Sequence, residues 1–383
     1  MEIKAHIYTN LAIDFLLKQS PSFSDKIENV KFTFGTNIPR NTDVLIVHRF
    51  CEQSIPICLP KSRTVFIAGE VEEMYPFKRE FLNQFGIVST TYKTILDADV
   101  ISRQENFCLM WLAGVNYDEF PNFKTFNGHD FFSKLRPAKK YGEIVTVITT
   151  IKNHTKLHRE REKFLKILKA RLGEKVKIFG FNYERLGDKS EALIPYKYHI
   201  SLENSDSEYA WTEKISDPLL CWAFPFYAGV PSSTIDLPED AYCAIDITNP
   251  EQAVQHIIDQ MDSNAWEKAI PPMTIARKKI LNHYNTMSLF VRLAKQAMNS
   301  EPGQFSKVLK VIKADWMFVT PAKRSKKIKL FLSHMVLNIF PMFQIRYFQL
   351  KNSWFLKTMT APGKRVRVRY RIIFHRIKKF SLR

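Results

Sequence analysis

The sequence predicts an α/β protein built from two doubly wound halves that face a shared cleft. In the first half, residues 43–48 and 64–68 are continuous apolar runs, which are typical of strands buried on both faces of a parallel sheet. In the second half, residues 198–229 follow the order strand, polar turn, helix and strand, over the length of one βαβ unit. Residues 131–141 contain Pro137 and several basic side chains, and they predict a linker between the halves.

The first half alternates between strand and helix patterns, which predicts an N-terminal domain over residues 1–135. Apolar runs of strand length and segments with helical spacing follow one another along this part of the chain. The predicted strands cover residues 3–8, 43–48, 64–68 and 86–89, and the predicted helices cover residues 11–18 and 77–85.

The second half repeats the pattern, which predicts another α/β domain over residues 136–300. A helix over residues 159–172 places its apolar side chains on one face. Another helix opens at Thr212, and a third opens with Pro250, a residue type favoured in the first turn. The predicted strands cover residues 143–149, 176–179, 199–202, 223–227 and 244–247, and the last predicted helix covers residues 250–261.

The net charge of +19 is concentrated at the C-terminus. Residues 316–383 hold 17 Lys or Arg and no Asp or Glu, whereas residues 1–315 hold 40 basic and 38 acidic side chains. With 45% hydrophobic and 13% aromatic residues, the chain has the composition of a folded protein. A protein that binds nucleic acid over its whole surface would not normally divide its charge in this way. Residues 301–383 are therefore predicted to form a separate basic tail.

The tail contains two amphipathic patterns. Residues 328–345 carry aliphatic and aromatic side chains at helical spacing, and residues 364–380 alternate basic and apolar side chains. Basic residues with interleaved aromatics suit an anionic membrane surface. The same composition can bind nucleic acid, and it also fits a basic tail without a specific partner, so composition alone leaves these alternatives open.

Cysteine usage and the N-terminus indicate a reducing compartment. The five cysteines are odd in number and show no CxxC spacing, so free thiols are expected and a zinc site is not. The N-terminus lacks a basic segment followed by an uninterrupted apolar core, so no signal peptide is expected. No apolar run reaches the roughly 18 residues that a transmembrane helix needs. A cytoplasmic protein is the expectation.

Charged side chains follow predicted strands in both halves. In open α/β sheets, ligands bind at the carboxyl ends of strands, where helix N-termini point. In the second half, that position holds Glu203, Asn204, Glu213 and Lys214. These residues are therefore the candidate ligand contacts, although an acid at a helix start and an exposed surface base are the ordinary alternatives.

In the first half, Gly69 and Glu70 directly follow the predicted strand 64–68. A carboxylate at the end of a strand can serve as an active-site acid or base. The alternative is a solvated loop acid, which the neighbouring Glu72 and Glu73 make equally natural.

Several common motifs are missing or weak. The chain has no GxGxxG fingerprint, no phosphate-binding P-loop and no GxSxG nucleophile elbow. Asp97-Ala98-Asp99 has the DxD form that can hold a divalent metal, but the spacing is common by chance and no further ligands lie nearby in the sequence. No metal site is predicted.

The segment ENSDSEYAWTEKISDPLLCWAFPFYAG resembles the donor-site signature of the fucosyltransferases of glycosyltransferase family 10. Residues 241–257 and 63–90 are also similar to segments of this family, so the resemblance covers roughly residues 60–270. It implies a GT-B fold, in which two Rossmann-like domains face a cleft and the C-terminal domain holds GDP-fucose. It also implies inversion at the sugar without an essential metal or other cofactor.

By motif position, the resemblance implies that Glu213 contacts the ribose and Lys214 the diphosphate. Asn204 would contact the donor sugar or a phosphate, and Glu203 precedes it in the same donor-binding motif. Arg161 matches the phosphate-binding arginine of the family, with Arg159 as the neighbouring alternative.

On the acceptor side, Glu70 matches the position of the general base, with Glu73 as the alternative. One departure from the family pattern is Ala210, where many members carry a tyrosine. Its neighbours Tyr209 and Trp211 are the possible donor-site aromatics.

The sequence therefore predicts an inverting transferase that moves fucose from GDP-fucose to a hydroxyl of a surface glycan, such as a lipopolysaccharide or capsule precursor. Family members often carry basic amphipathic tails, so residues 316–383 are expected on an anionic membrane surface at the cytoplasmic face, and no specific nucleic acid is expected. The alternatives are a related transferase with another nucleotide sugar and a non-enzymatic membrane- or nucleic-acid-binding protein driven by the tail.

Overall fold

The structure is a computed structural model that describes residues 1–106, 110–119, 123–138, 140–149, 156–180, 183–300 and 310–318. The amphipathic patterns predicted over residues 328–345 and 364–380 lie outside the described residues. In the part of the chain that is described, no helix is both long and apolar enough to cross a membrane. Four of the five cysteines fall within it, and all four are free thiols, as expected.

Strands and helices alternate through most of the described chain. The strands are β1 (Ile3–Tyr8), β2 (Lys26–Ile27), β3 (Val30–Gly35), β4 (Val44–Arg49), β5 (Ile55–Ile57), β6 (Thr64–Ala68), β7 (Ile87–Thr90), β8 (Ile101–Gln104), β9 (Tyr141–Thr149), β10 (Val176–Gly180), β11 (Tyr196–Leu202), β12 (Phe224–Ala228), β13 (Cys243–Ala244) and β14 (Lys310–Ile312). The helices are α1 (Ile13–Leu17), α2 (Arg79–Leu82), α3 (His129–Lys134), α4 (Lys156–Leu172), α5 (Glu213–Leu220), α6 (Pro250–Asp262), α7 (Ala265–Asn282) and α8 (Thr286–Asn299).

The first sheet has seven strands in the order β2-β3-β1-β4-β6-β7-β8. All neighbouring strands pair in parallel except β2 and β3, which are antiparallel. Every residue of β6 is buried, as its continuous apolar pattern predicts. The strand order reverses between β1 and β4, so the sheet is doubly wound and has a topological switch point there.

The second sheet has five parallel strands in the order β10-β9-β11-β12-β13, and its order reverses between β9 and β11. The predicted two-sheet α/β fold is therefore confirmed. The strand predicted over residues 244–247 is wrong in extent, because the ladder ends at Ala244. The Asp246 carboxylate instead accepts hydrogen bonds from the Thr248 N–H (2.9 Å) and hydroxyl (2.7 Å), which forms a turn that leads into α6.

Helix α5 begins where the sequence predicts, because the Thr212 hydroxyl accepts a hydrogen bond from the Lys214 N–H (3.3 Å). Pro218 lies inside the helix and cannot donate to the Lys214 carbonyl one turn earlier. The Ser201 hydroxyl on β11 donates to that carbonyl instead, at 2.6 Å. This bond fixes the first turn of α5 against the carboxyl end of β11.

The last helix of the second half returns to the first sheet. Helix α8 lies against β1, β3, β4 and β6, and its Phe290 ring contacts Phe32 (6.3 Å between centroids) and His48 (5.1 Å). The predicted range 136–300 for the second domain therefore includes one helix that covers the core of the first.

The predicted tail, residues 301–383, also begins inside the folded body. Strand β14 pairs antiparallel with β5. Asp315 accepts a hydrogen bond from the Tyr75 hydroxyl, and the Trp316 indole donates to the Glu52 carbonyl at 2.9 Å. Residues 310–318 are held by a buried Ile312 and these bonds, so they belong to the first half and not to a separate tail. The predicted membrane segment 316–383 overlaps the body at its start.

The predicted linker, residues 131–141, is bonded to the second half. Its first residues complete α3, and Tyr141 already begins β9. The Trp222 indole donates to the Leu135 carbonyl at 2.8 Å, and the buried Arg277 of α7 donates to the Phe132 carbonyl at 2.6 Å. These bonds satisfy backbone groups that a free linker would leave to water.

Candidate functional site

The carboxyl ends of the two sheets face each other. Ser205, which follows β11, donates a hydrogen bond from its hydroxyl to the Glu73 carboxylate, which follows β6, at 3.4 Å. Asn106, which follows β8, donates to the Tyr209 carbonyl at 3.0 Å. Because loops at the same end of each sheet make these contacts, the two carboxyl edges border one cleft.

Arg161 of α4 is buried beneath the end of β11. It is 5% exposed, and its Nη2 donates to the Leu202 carbonyl (2.9 Å), the Glu203 carbonyl (2.7 Å) and Asn204 Oδ1 (3.1 Å). Burial lowers the pKa of Arg161 to about 10, so the guanidinium stays charged at neutral pH. Its Nε has no hydrogen-bond partner among the described residues. The alternative, Arg159, is exposed on the helix surface.

Glu203 lies behind the loop and makes internal contacts. Its carboxylate accepts hydrogen bonds from the Thr212 N–H (2.8 Å) and hydroxyl (2.9 Å), and from the Tyr227 hydroxyl (3.4 Å). It is 1% exposed, and a Cβ on Gly229 would lie 2.6 Å from its Cγ, so this glycine is required for close approach. Burial raises the pKa of Glu203. The structure places Glu203 as a support for the Thr212–Lys214 turn.

Lys214 stands between two carboxylates. Its Nζ lies 3.4 Å from the Glu203 carboxylate and 3.3 Å from the Glu213 carboxylate. Burial alone would lower the pKa of Lys214, but these two carboxylates outweigh it and raise the pKa. Burial would likewise raise the pKa of Glu213, but Lys214 and Lys189 lower it to about 2. Both side chains are therefore charged at neutral pH.

Lys189 and Asp217, which are not among the predicted site residues, complete this cluster. Lys189 Nζ lies 3.4 Å from the Glu213 carboxylate and 3.6 Å from the Asp217 carboxylate. Burial raises the pKa of Asp217 to about 6, while its carboxylate accepts a hydrogen bond from the Leu112 N–H at 3.0 Å. The four-residue spacing of Glu213 and Asp217 on α5 is the signal that could have placed both on one face.

Glu70 stands at the opposite edge, directly after β6. Its carboxylate lies 3.6 Å from Nη2 of Arg49, the last residue of the neighbouring strand β4. Both side chains are largely buried, with 18% and 15% of their surface exposed. Glu73, the alternative base, is instead the partner of Ser205 across the cleft. Arg49 therefore lies at the same edge as Glu70, although no sequence pattern marks it.

The two candidate aromatics differ in accessibility. Trp211 is 2% exposed, and its ring packs edge-on against Tyr284 with 4.9 Å between centroids. Tyr209 is half-buried and has a positive φ of 59°, which turns the loop before α5. Trp211 is therefore part of the packed interior, and Tyr209 remains the candidate for stacking on a ligand.

The DxD aspartates are paired with surface cations. Asp97 lies 2.8 Å from Arg79, and Asp99 lies 2.8 Å from Lys61. Over the described residues, no group of three or more His, Cys, Asp or Glu side chains is arranged to hold a metal ion.

No protein-family model matches the chain, and no curated protein matches it. Among solved structures, it is similar to a crystal structure of α1,3-fucosyltransferase with GDP-fucose, with a TM-score of 0.45 and 15% identity over 78% of this chain and 91% of that one. A structure of α1,3-fucosyltransferase with GDP gives a TM-score of 0.44 and 17% identity, over 79% and 92% of the two chains.

Proposed function

We propose that this chain is an inverting glycosyltransferase that transfers fucose from GDP-fucose to a glycan hydroxyl. The proposal rests on one observation: cations at the carboxyl edge of one sheet lie across a cleft from a carboxylate at the carboxyl edge of the other. Arg161 and Lys214, both charged at neutral pH, stand at the carboxyl edge of the second sheet. The Glu70 carboxylate stands at the carboxyl edge of the first sheet, and the Glu73–Ser205 contact joins the two edges.

The second-sheet edge has the chemistry to hold a nucleoside diphosphate. Negative charge develops on the diphosphate as it leaves, and cations fixed beforehand stabilise that charge without reorganising. Lys214 and Arg161 would supply these cations, and the N-terminus of α5 adds its dipole. The Glu213 carboxylate would accept hydrogen bonds from the ribose hydroxyls, and Asn204 would contact the donor sugar or a phosphate.

The first-sheet edge would supply the base. The acceptor oxygen attacks the anomeric carbon while the Glu70 carboxylate takes the proton of that hydroxyl. The bond from the anomeric carbon to the diphosphate oxygen breaks, and GDP leaves with the bonding electrons. One displacement inverts the configuration at the sugar. Because the chain's own cations would meet the charge of the leaving group, we propose that the reaction needs no metal or other cofactor.

The acceptor is proposed to be a surface glycan precursor, such as one of lipopolysaccharide or capsule, at the cytoplasmic face of the membrane. The charge distribution supports this, because residues 316–383 carry 17 Lys or Arg and no acid. Each basic side chain near an anionic surface contributes about 1 kcal/mol, so a fraction of them would hold the protein there.

A donor screen tests the proposed activity. Purified full-length protein is incubated with GDP-fucose, GDP-mannose and UDP-sugars, and nucleotide release is measured with water as the acceptor. The expected result is release of GDP from GDP-fucose that is lost in the Glu213→Ala and Lys214→Ala variants. Lys279→Ala is the matched control, since Lys279 pairs with Asp236 at the surface.

The outcomes separate the alternatives. Turnover of a UDP-sugar alone would overturn the fucose assignment and favour a related transferase. If no nucleotide sugar is turned over and none binds, the transferase proposal fails, and a non-enzymatic protein that acts through its basic tail is favoured.

A further inference from the structure

Arg49 has a backbone conformation that non-glycine residues seldom adopt. It is the last residue of β4, and its φ is +76°. The left-handed region is unfavourable for residues with a Cβ, and such strain concentrates at functional sites. Strand β4 borders the topological switch point of the first sheet, where open α/β sheets place their ligands.

Gly69 makes room for the Arg49 side chain. A Cβ at residue 69 would lie 2.4 Å from Arg49 Cγ and 2.9 Å from its Nε, which is closer than atoms can approach. The Arg49 side chain therefore crosses directly over the backbone that leads from β6 to Glu70. Gly69 and the left-handed backbone of Arg49 together place the guanidinium beside Glu70.

Among the described residues, the Arg49 guanidinium has one long ion pair and one unpaired nitrogen. Its Nη2 lies 3.6 Å from Glu70 Oε1, which is an ion pair but longer than a hydrogen bond. Its Nε is buried and has no hydrogen-bond partner among the described residues. The guanidinium carbon lies 5.7 Å from the ring centroid of Phe50.

A buried arginine with a purely structural task looks different in this same protein. Arg277 donates to backbone carbonyls including those of Leu219 (3.0 Å) and Phe132 (2.6 Å), and it lies over the Trp222 ring at 4.2 Å. Its donors are used to join α3, α5 and α7. The Arg49 guanidinium, in contrast, faces the carboxylate of Glu70.

We infer that Arg49 is a positioning residue that holds the Glu70 carboxylate in the orientation from which it takes the acceptor proton. The inference rests on the proposed function, because it assigns Arg49 a task in that reaction. A misplaced base loses catalytic efficiency steeply, so Arg49 should affect the chemical step and leave donor binding alone.

A double-mutant cycle in the full-length protein tests this. The variants are Arg49→Met, Arg49→Lys, Glu70→Gln and Arg49→Met with Glu70→Gln, assayed by GDP release from GDP-fucose with water as acceptor. We expect Arg49→Met to lower kcat by about 10- to 100-fold with KM for GDP-fucose unchanged. Arg49→Lys should recover part of the loss, and Arg49→Met should have no further effect once Glu70 is glutamine.

Arg79→Met is the matched control, because Arg79 forms an exposed ion pair with Asp97 and should leave kcat unchanged. Thermal unfolding of each variant shows whether it folds. Gly69→Ala is an independent variant that displaces the Arg49 side chain but retains the charges of Arg49 and Glu70. The inference is overturned if Arg49→Met lowers kcat equally in the Glu70→Gln background, or if it changes KM and not kcat. If wild-type protein does not turn over GDP-fucose at all, the proposed function fails instead.

Discussion

The two edges of the cleft are built differently. At the second-sheet edge, Lys189 and Lys214 form ion pairs with the carboxylates of Glu203 and Glu213 at 3.3 to 3.4 Å. Arg161 donates to the Glu203 backbone carbonyl beside them at 2.7 Å. The first-sheet edge offers one carboxylate, Glu70, and one arginine, Arg49, at 3.6 Å. The second-sheet edge is therefore held by several short ion pairs, whereas the ion pair of Glu70 at the first-sheet edge is a single, longer one.

The two edges would therefore handle the two proposed substrates differently. A diphosphate carries charge that must be met by cations already in place, because reorganising them during the reaction would cost energy. The dense network supplies such rigidity. An acceptor hydroxyl is neutral and needs only one base in reach. We call the second-sheet edge the donor edge and the first-sheet edge the acceptor edge. Substitutions at the donor edge should therefore change nucleotide affinity and protein stability, and substitutions at the acceptor edge should change the reaction rate.

The largest expected effect comes from the acceptor edge. Glu70→Gln removes the proposed base and should lower kcat for GDP release from GDP-fucose by about 100- to 10,000-fold. GDP affinity and the thermal midpoint should stay close to wild type. Glu72→Gln is the control, and equal losses in both variants would show that Glu70 has no special role.

The next effect comes from the donor edge and concerns stability. Lys214→Met leaves Glu203 buried without its cation and should lower the free energy of unfolding by about 4 kcal/mol. Lys279→Met breaks a surface ion pair and should change it by less than about 1 kcal/mol. Urea unfolding monitored by circular dichroism measures both, and a small loss for Lys214→Met would mean that this edge is not the rigid one.

The donor edge should also respond to acid. Because the pKa of Glu213 in the folded protein is about 2, below its ordinary 4.5, its ionised form stabilises the fold above pH 4.5. Glu213→Gln should therefore lower the free energy of unfolding by about 3 kcal/mol at pH 7. The difference from wild type should shrink as the pH falls from 4.5 through 2, and a difference that does not change with pH would contradict the ion-pair account.

A smaller effect concerns the support behind the acceptor edge. Tyr75 lies just after Glu70 and Glu73 in the chain, and its hydroxyl donates a hydrogen bond to the Asp315 carboxylate. A chain ending at residue 309 loses this bond and strand β14, and should be less stable by about 2 kcal/mol than one ending at residue 318. Chemical unfolding of the two truncated chains measures this, and equal stabilities would mean that residues 310–318 are not part of the body.

The smallest effect should come from the DxD aspartates. Both make surface ion pairs, which contribute less than about 1 kcal/mol. Asp97→Asn combined with Asp99→Asn should leave GDP release unchanged, with or without a chelator. A loss of activity that added Mg²⁺ restores in wild type but not in the double variant would reveal a metal site at these residues.

Local patterns predicted much of the fold. The bounds of β1 and β6 match the predicted strands. For β6 the reason is that a strand buried on both faces leaves a continuous apolar signal. The start of α5 follows from Thr212, whose side chain caps it. The alternation of strands and helices along each half then predicts one largely parallel sheet per half.

Long-range packing could not be predicted in the same way. Helical spacing shows that α8 has an apolar face but not that this face covers the first sheet. Trp211 looks like a site aromatic in the sequence, yet Tyr284, far along the chain, packs against it. The strand ending at Ala244 is shortened by the Asp246 turn, which competes locally with the ladder.

The sequence placed candidate residues together where one short motif holds them. Glu203, Asn204, Glu213 and Lys214 lie in one segment, and they are close together in the structure; their roles stay a prediction. Arg49 carries no sequence signal, because what marks it is a positive φ and an approach to Gly69 that only the folded chain shows.

The most direct test of the central claim is a calorimetric titration of GDP into the full-length protein and two variants. If the second-sheet edge holds the nucleotide, wild type binds one GDP per chain and Glu70→Gln binds it within about twofold of wild type. Lys214→Met should bind GDP about 100-fold more weakly, because it loses a charge-assisted contact to phosphate. GDP binding that is unchanged in Lys214→Met, or equally weakened in Glu70→Gln, would show that the second-sheet edge does not hold the nucleotide.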